Sequence, residues 1–274
     1  MKLVTLMENT PSKHRGLYTE HGLSFYLESK HTRLMFDFGE SGHVWDNAKK
    51  LNIHLDTLEL AVCSHAHYDH AAGLQSILPK MQLKTLVTGQ GFWQEKYSSD
   101  GQKFSYLGPG YGREFLAEYG VQHKVCTDVL QLTEDCWAVT GFIHPNAWEN
   151  IPARFVLQTG PDTFVPDRFA DEVCLAVQTA RGLAVIVGCS HPGVVNMLTT
   201  VQEKLGQPVA SVWGGAHLME AEGLRVENTA RAFAALGLER VGLCHCSGGQ
   251  LENVAACIPQ IPCVRIGTGD MVIL

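Results

Sequence analysis

The sequence predicts an α/β protein in which two mixed β-sheets are sandwiched by helices. Three observations lead there. Both halves of the chain are rich in short apolar, strand-like runs, with helical stretches between them, a pattern that is stable when sheets stack face to face and helices cover the outer faces. Four of those runs end in histidine, which fits open sheets that gather ligands at the carboxyl ends of their strands. Finally, 274 residues with 45% hydrophobic and 18% charged content suit one large core and are too few for two ordinary domains and a linker. Residues 1–274 are therefore read as one domain.

The elements follow in order. Residues 2–8 form a first strand; the apolar stretch is too short and lacks the cleavage-like site of a signal peptide. Strands over 23–27 and 32–38 flank a polar turn at Ser29-Lys30-His31. A helix over 44–51 precedes the strand 58–63, and a helix over 71–78 is stopped by Pro79. A strand over 83–88 closes the first half. The second half has strands over 122–127, 136–143, 155–159, 173–178 and 183–187, and a helix over 193–205 ended by Gly206. The apolar run 209–213, a helix over 226–236 ended by Gly237, and strands over 241–244 and 271–274 complete the chain.

Residues 90–119 stand apart as an insertion. Eight aromatic residues, Trp93 and Tyr106 among them, are interspersed with Gly101, Gly108, Gly110 and Gly112. Two readings are open: a mobile loop that stacks on a planar ligand, with Trp93 and Tyr106 as substrate contacts, or an excursion whose aromatics pack onto the core.

The chemistry concentrates in Ser64-His65-Ala66-His67-Tyr68-Asp69-His70. A strand cannot point three imidazoles and a carboxylate at one ion. A strand-to-helix turn splits them, His65 and His67 facing one metal and Asp69 and His70 the other. Neutral imidazole and carboxylate suit zinc, with iron or manganese as alternatives. The other three apolar runs end at His191, His217 and His245. His65, His67 and His191 are expected to bind one ion and Asp69, His70 and His245 the second, with His217 in reserve. Asp37, between Phe36 and Phe38, is expected to hydrogen-bond a ligand imidazole or the backbone. His21 reads as a residue of the pocket rim; His14, His31, His43, His54 and His123 read as solvated, and Asp171-Glu172 as a turn.

His-x-His-x-Asp-His after a strand resembles the signature of the metallo-β-lactamase superfamily. Glu20-His21-Gly22-Leu23-Ser24, Leu34 to Gly39, Gly188 to Asn196, Gly214 to Leu218 and His245-Cys246-Ser247-Gly248 are similar to the branch that includes dihydropterin–ribofuranosylaminobenzene-phosphate synthase and uncharacterised bacterial relatives. The resemblance spans nearly the whole chain. It implies an αββα four-layer sandwich, and it favours His191 over His144 as the third imidazole of the first ion. Many superfamily members carry an Asp that bridges the metals after a central strand. Here the comparable run ends Gly188-Cys189, which leaves three options: a Cys189 thiolate, a hydroxide bridge alone, or a weakly held second ion.

Two adjacent cations acidify a shared water and polarise the oxygen under attack. Asp69 would orient the resulting hydroxide and His217 would stabilise the oxyanion or protonate the leaving group. The expected function is therefore metal-dependent hydrolysis of an ester, amide, lactone or phosphodiester in a small molecule, phosphorylated or not. The resemblance adds condensation of a reduced pterin with an aryl-ribose phosphate, and the fold also carries non-hydrolytic di-iron proteins. A net charge of −7 without a basic run argues against nucleic acid as partner. No apolar run approaches the length of a membrane span. Nine cysteines without a signal peptide point to free thiols in a reducing, cytoplasmic setting. In Cys244-His245-Cys246 the thiols read as small buried hydrophobes beside a ligand histidine.

Overall fold

The computed structural model describes residues 1–11 and 16–274; His14 lies outside the described residues. The first half contributes β1 (Lys2–Met7), β2 (Ser24–Glu28), β3 (Arg33–Phe36), β4 (Leu60–Val62), β5 (Thr85–Gly89), β6 (Glu95–Ser99), β7 (Phe104–Tyr106) and β8 (Gln122–Cys126). The second contributes β9 (Val129–Thr133), β10 (Cys136–Val139), β11 (Phe155–Gly160), β12 (Thr163–Pro166), β13 (Cys174–Thr179), β14 (Gly182–Val187), β15 (Val209–Gly214), β16 (Arg240–Leu243), β17 (Cys263–Arg265) and β18 (Met271–Ile273). The helices are α1 (His43–Lys50), α2 (Tyr68–Ala71), α3 (Leu74–Ile77), α4 (Arg113–Glu118), α5 (Val194–Leu205), α6 (Gly223–Ala235) and α7 (Leu251–Cys257).

Two seven-stranded mixed sheets run β18-β1-β2-β3-β4-β5-β8 and β17-β16-β15-β14-β13-β10-β9. Their inner faces meet through Phe25, Phe36 and Val62 on one side and Leu175, Ile186 and Trp213 on the other. The outer face of the first sheet packs under α1 and α3 through Val44, Ala48, Leu74 and Ile77. The outer face of the second packs under α5, α6 and α7 through Leu198, Phe233 and Val254. The expected αββα sandwich is therefore observed. Its central strands read as unbroken apolar runs because both faces are buried: in β14, Leu183 and Val185 face the helices, whereas Ala184 and Ile186 face the other sheet.

The strands β14, β15 and β16 are mutually parallel, as are β3, β4 and β5. Parallel strands end at the same edge, so the loops after β14, β15 and β16 leave the second sheet together, and the loop after β4 leaves the first sheet beside those after β3 and β5. The helix expected over 71–78 is instead broken into α2, α3 and a 3₁₀ turn Leu78–Lys80. The break falls at Gly73, where a Cβ would stand 2.1 Å from the Phe38 carbonyl oxygen. Helix and loop touch too closely there for any side chain.

The 90–119 segment is an ordered structure. Its β6 and β7 join β11 and β12 in a third sheet, ordered β12-β11-β6-β7. Trp93 packs edge-on to Phe92, Tyr111 and His123 against the first outer core. Tyr106 packs on Tyr97. His123, expected to be solvated, is half-buried and bonds Thr88 Oγ1 at 2.8 Å.

Candidate metal centre

The loops leaving β4, β14 and β16 bring both expected ligand sets together. The rings of His65, His67 and His191 lie 4.6–4.9 Å apart. In the second set His245 Nε2 is 3.2 Å from Asp69 Oδ2, and His70 Nε2 is 3.1 Å from His245 Nε2. Cys189 Sγ stands 3.1 Å from His70 Nε2. It groups within 4.8 Å with Asp69, His70 and His245, and also with His65 and His191. The thiol thus sits between the two sets.

The lone pairs that face inward are set from behind. Asp37 Oδ2 receives His70 Nδ1 at 2.7 Å, and its other oxygen receives the Ser64 N–H at 2.6 Å, so the expected supporting role of Asp37 is seen. Glu172 does the same for His191, taking Nδ1 at 2.8 Å and the Ser190 N–H at 2.7 Å. Asn9 Oδ1 receives His245 Nδ1 at 2.8 Å, and Glu8 Oε1 receives the His245 N–H at 2.6 Å. Carboxylate or carbonyl partners on Nδ1 fix the tautomer that leaves Nε2 as ligand.

Electrostatics agree. Burial pushes the His65, His67 and His191 imidazoles well below their ordinary range, so they stand neutral. His65 Nε2 and His67 Nε2 are buried without a hydrogen-bond partner. An orphaned buried polar atom is costly, and a cation would satisfy both. Burial opposes the charge on His70, yet Asp69 and Asp37 push it up to about 9. Burial also opposes the Asp69 carboxylate, but His70, His245 and His67 hold it well below the usual range. A pocket that holds an extra proton this firmly is rich in the negative potential a divalent cation seeks. The residues present therefore fit a bound divalent metal.

Backbone strain marks the same place. Six described non-glycine residues have positive φ, and Asp37, Phe169, Ser190, His217 and His245 are five of them. Such conformations persist where the surroundings over-determine them, commonly at functional sites. Phe169 stacks on His191 at 3.8 Å and 7°.

Below the loop lies a buried cation. Lys96 Nζ is 2.6 Å from Asp167 and 2.9 Å from Asp171, and Asp171 Oδ2 receives the Ala66 N–H at 2.9 Å. The Tyr68 N–H donates to the Leu107 carbonyl at 2.7 Å. The third sheet thus grips the His65–His70 loop from two sides. Asp171 and Glu172, read from sequence as a turn, are both buried supports of the site.

The centre opens into a cavity of about 190 Å³ lined on one side by His67, Asp69, Cys189, His191, His217 and His245, and at its rim by His21, Ser98, Leu107 and Arg154. His217 is buried with its ring 4.8 Å from that of His191. Trp93 and Tyr106 line a different cavity, beside Tyr111 and Glu114. From the same segment, Ser98 and Leu107 are the residues that line the cavity at the metal centre. His144 is exposed. Among the described residues no helix is long and apolar enough to cross a membrane.

Fold and centre together are similar to those of one class, the metallo-β-lactamase superfamily. The family model described as the metallo-beta-lactamase superfamily matches residues 17–85, the span that includes the histidine cluster. The chain is 27% identical over 266 residues to a 7,8-dihydropterin-6-methyl-4-(beta-D-ribofuranosyl)-aminobenzene-5'-phosphate synthase of Methanocaldococcus jannaschii, covering 93% of this chain and 90% of that protein. It is 26% identical to an uncharacterized protein of the same organism, covering 78% of each. Among solved structures it is similar to Tm1679, described as a metal-dependent hydrolase of the beta-lactamase superfamily, with a TM-score of 0.86, 27% identity and coverage of 100% and 99%.

Proposed function

We propose that this protein is a dinuclear-metal-dependent hydrolase of a small, phosphorylated molecule. The observation that carries the reading is the pair of converging ligand sets, with two orphaned imidazole nitrogens on one side and a histidine–carboxylate cluster on the other. His65, His67 and His191 would hold one ion, Asp69, His70 and His245 the other, with Cys189 placed to touch both. When bound, two divalent cations lower the pKa of water and polarise the oxygen under attack. Asp69 Oδ2, the carboxylate oxygen on the cavity side, orients the attacking water. Burial and Arg225 push His217 down to about 4, so it meets substrate neutral and acts as a hydrogen-bond donor to the developing oxyanion.

Substrate size and charge follow from the cavity. About 190 Å³ admits a small ligand or one group of it. Arg154 is the one Lys or Arg among its described lining residues, and its guanidinium carbon lies 4.4 Å from the centre of the Phe155 ring. It pairs with Glu220, an exposed partner that an incoming phosphate displaces at little cost. A polymer partner has no comparable footprint on an acidic chain, and a cytoplasmic setting suits the free thiols.

The transferase reading rests on the 27% identical synthase: the same centre would bind a reduced pterin for condensation with an aryl-ribose phosphate. One experiment separates the two. Zinc-, iron- or manganese-loaded protein is assayed for cleavage of bis(p-nitrophenyl) phosphate and generic esters, alongside anaerobic calorimetry with reduced pterins. Cleavage without pterin binding supports the hydrolase; micromolar pterin binding without cleavage overturns it.

A further inference from the structure

Two imidazoles flank Asp69 on the cavity side, and one amide touches both. His245 Nε2 is 3.2 Å from Asp69 Oδ2 and His21 Nε2 is 3.3 Å from the same oxygen. Asn9 Oδ1 meets His245 Nδ1 at 2.8 Å, and Asn9 Nδ2 meets His21 Nδ1 at 3.3 Å. The orientation of the amide is fixed by a third partner, because the Gly22 backbone N–H points at Asn9 Oδ1 from 3.2 Å. A backbone N–H can only donate, so the atom it meets is the oxygen, and the amide nitrogen faces His21.

The two histidines then take opposite tautomers. His245 donates from Nδ1 to the amide oxygen, which leaves a lone pair on Nε2. His21 accepts at Nδ1 from the amide nitrogen, which places its proton on Nε2, directed at Asp69 and the cavity. We propose that Asn9 is a positioning residue that sorts these imidazoles, making His245 a metal ligand and His21 a non-ligating N–H donor at the cavity mouth. His21 would then offer its N–H to an anionic oxygen of the substrate beside Asp69. The consequence for a bound substrate rests on the metallohydrolase reading; the tautomer assignment does not.

The test is a long-range ¹H–¹⁵N correlation spectrum of the imidazoles of the metal-free full chain at pH 8. Signals are assigned by their loss in His21→Gln and His245→Gln. We expect the Nε2–H form for His21 and the Nδ1–H form for His245. An Nδ1–H signal for His21, or the same tautomer for both residues, overturns the inference. Titration with zinc should move the His245 Nε2 resonance and leave that of His21 in place; a coordination shift at His21 also overturns it. In Asn9→Leu the two tautomers of His21 should mix, and zinc should bind about 10- to 100-fold more weakly, the usual cost of losing a group that orients a ligand. An unchanged Asn9→Leu spectrum would refute the role of Asn9. If that variant does not fold, the wild-type spectra still decide. If zinc moves no imidazole signal, the two-ion reading fails while the tautomer pattern stands or falls separately.

Discussion

Replacing Lys96 with methionine is the sharpest perturbation of the link between the third sheet and the metal loop. The side chain is 1% exposed, as are its partners to within a percentage point. Its Nζ pairs with both Asp167 and Asp171, and Asp171 in turn holds the Ala66 N–H between His65 and His67. Methionine preserves the volume of the stem but strands two buried carboxylates. Breaking a buried pair in this way costs about 3–5 kcal/mol. At roughly 2–4 °C per kcal/mol for a chain of this size, calorimetry should show Tm falling by ~10 °C. The triple variant Lys96→Met, Asp167→Asn, Asp171→Asn removes the stranded charges and should recover most of that loss. A single variant within 2 °C of wild type, or a triple variant no better than the single, would refute the argument that charge compensation holds the loop.

Three further outcomes are expected. Asp69→Ala should abolish turnover of any identified substrate while moving Tm by no more than about 2 °C, because Asp69 stands in the single turn α2 on the wall of the cavity and its loss opens no core cavity; activity within tenfold of wild type would contradict its role. Trp93→Ala should lower Tm by several degrees through lost core packing and leave KM unchanged, which steady-state kinetics and a melting curve would check together. Burial pushes Glu149 up from 4.5 to about 7, against the pull of the Val195 and Asn196 N–H groups at the start of α5. The native state therefore binds that proton more tightly than the unfolded chain, and its stability contribution is complete below pH 4.5 and declines up to pH 7, by about 3 kcal/mol in all. Urea melts of wild type and Glu149→Gln between pH 4 and 8 should diverge by that slope, and parallel curves would refute it.

The legible parts of this protein were those encoded locally. His65 to His70 announced themselves because six consecutive residues carry four donors, and His191 and His245 because each ends a fully buried strand. Asp37 could be read from its place at a strand end. Glu172 and Asn9 could not: they serve histidines 19 and 236 residues away, and nothing local distinguishes Asp171-Glu172 from a polar turn. The third sheet was hidden for a related reason. Glu95-Lys96-Tyr97-Ser98-Ser99 is polar and short, and it becomes a strand only by pairing with Phe155–Gly160 far along the chain. Its aromatics therefore left a ligand platform and core packing both open, and in the fold Trp93 packs against the first outer core. Lys96 looked like a surface lysine because its two carboxylates come from residues 167 and 171.

The central claim is that the chain holds two metal ions through the six ligands at its strand ends. Metal content by mass spectrometry on anaerobically and gently purified protein tests it most directly. Close to two divalent ions per chain are expected, falling to about one in His70→Ala, which removes a ligand of the second ion only. A reproducible value near zero in the wild type would contradict it.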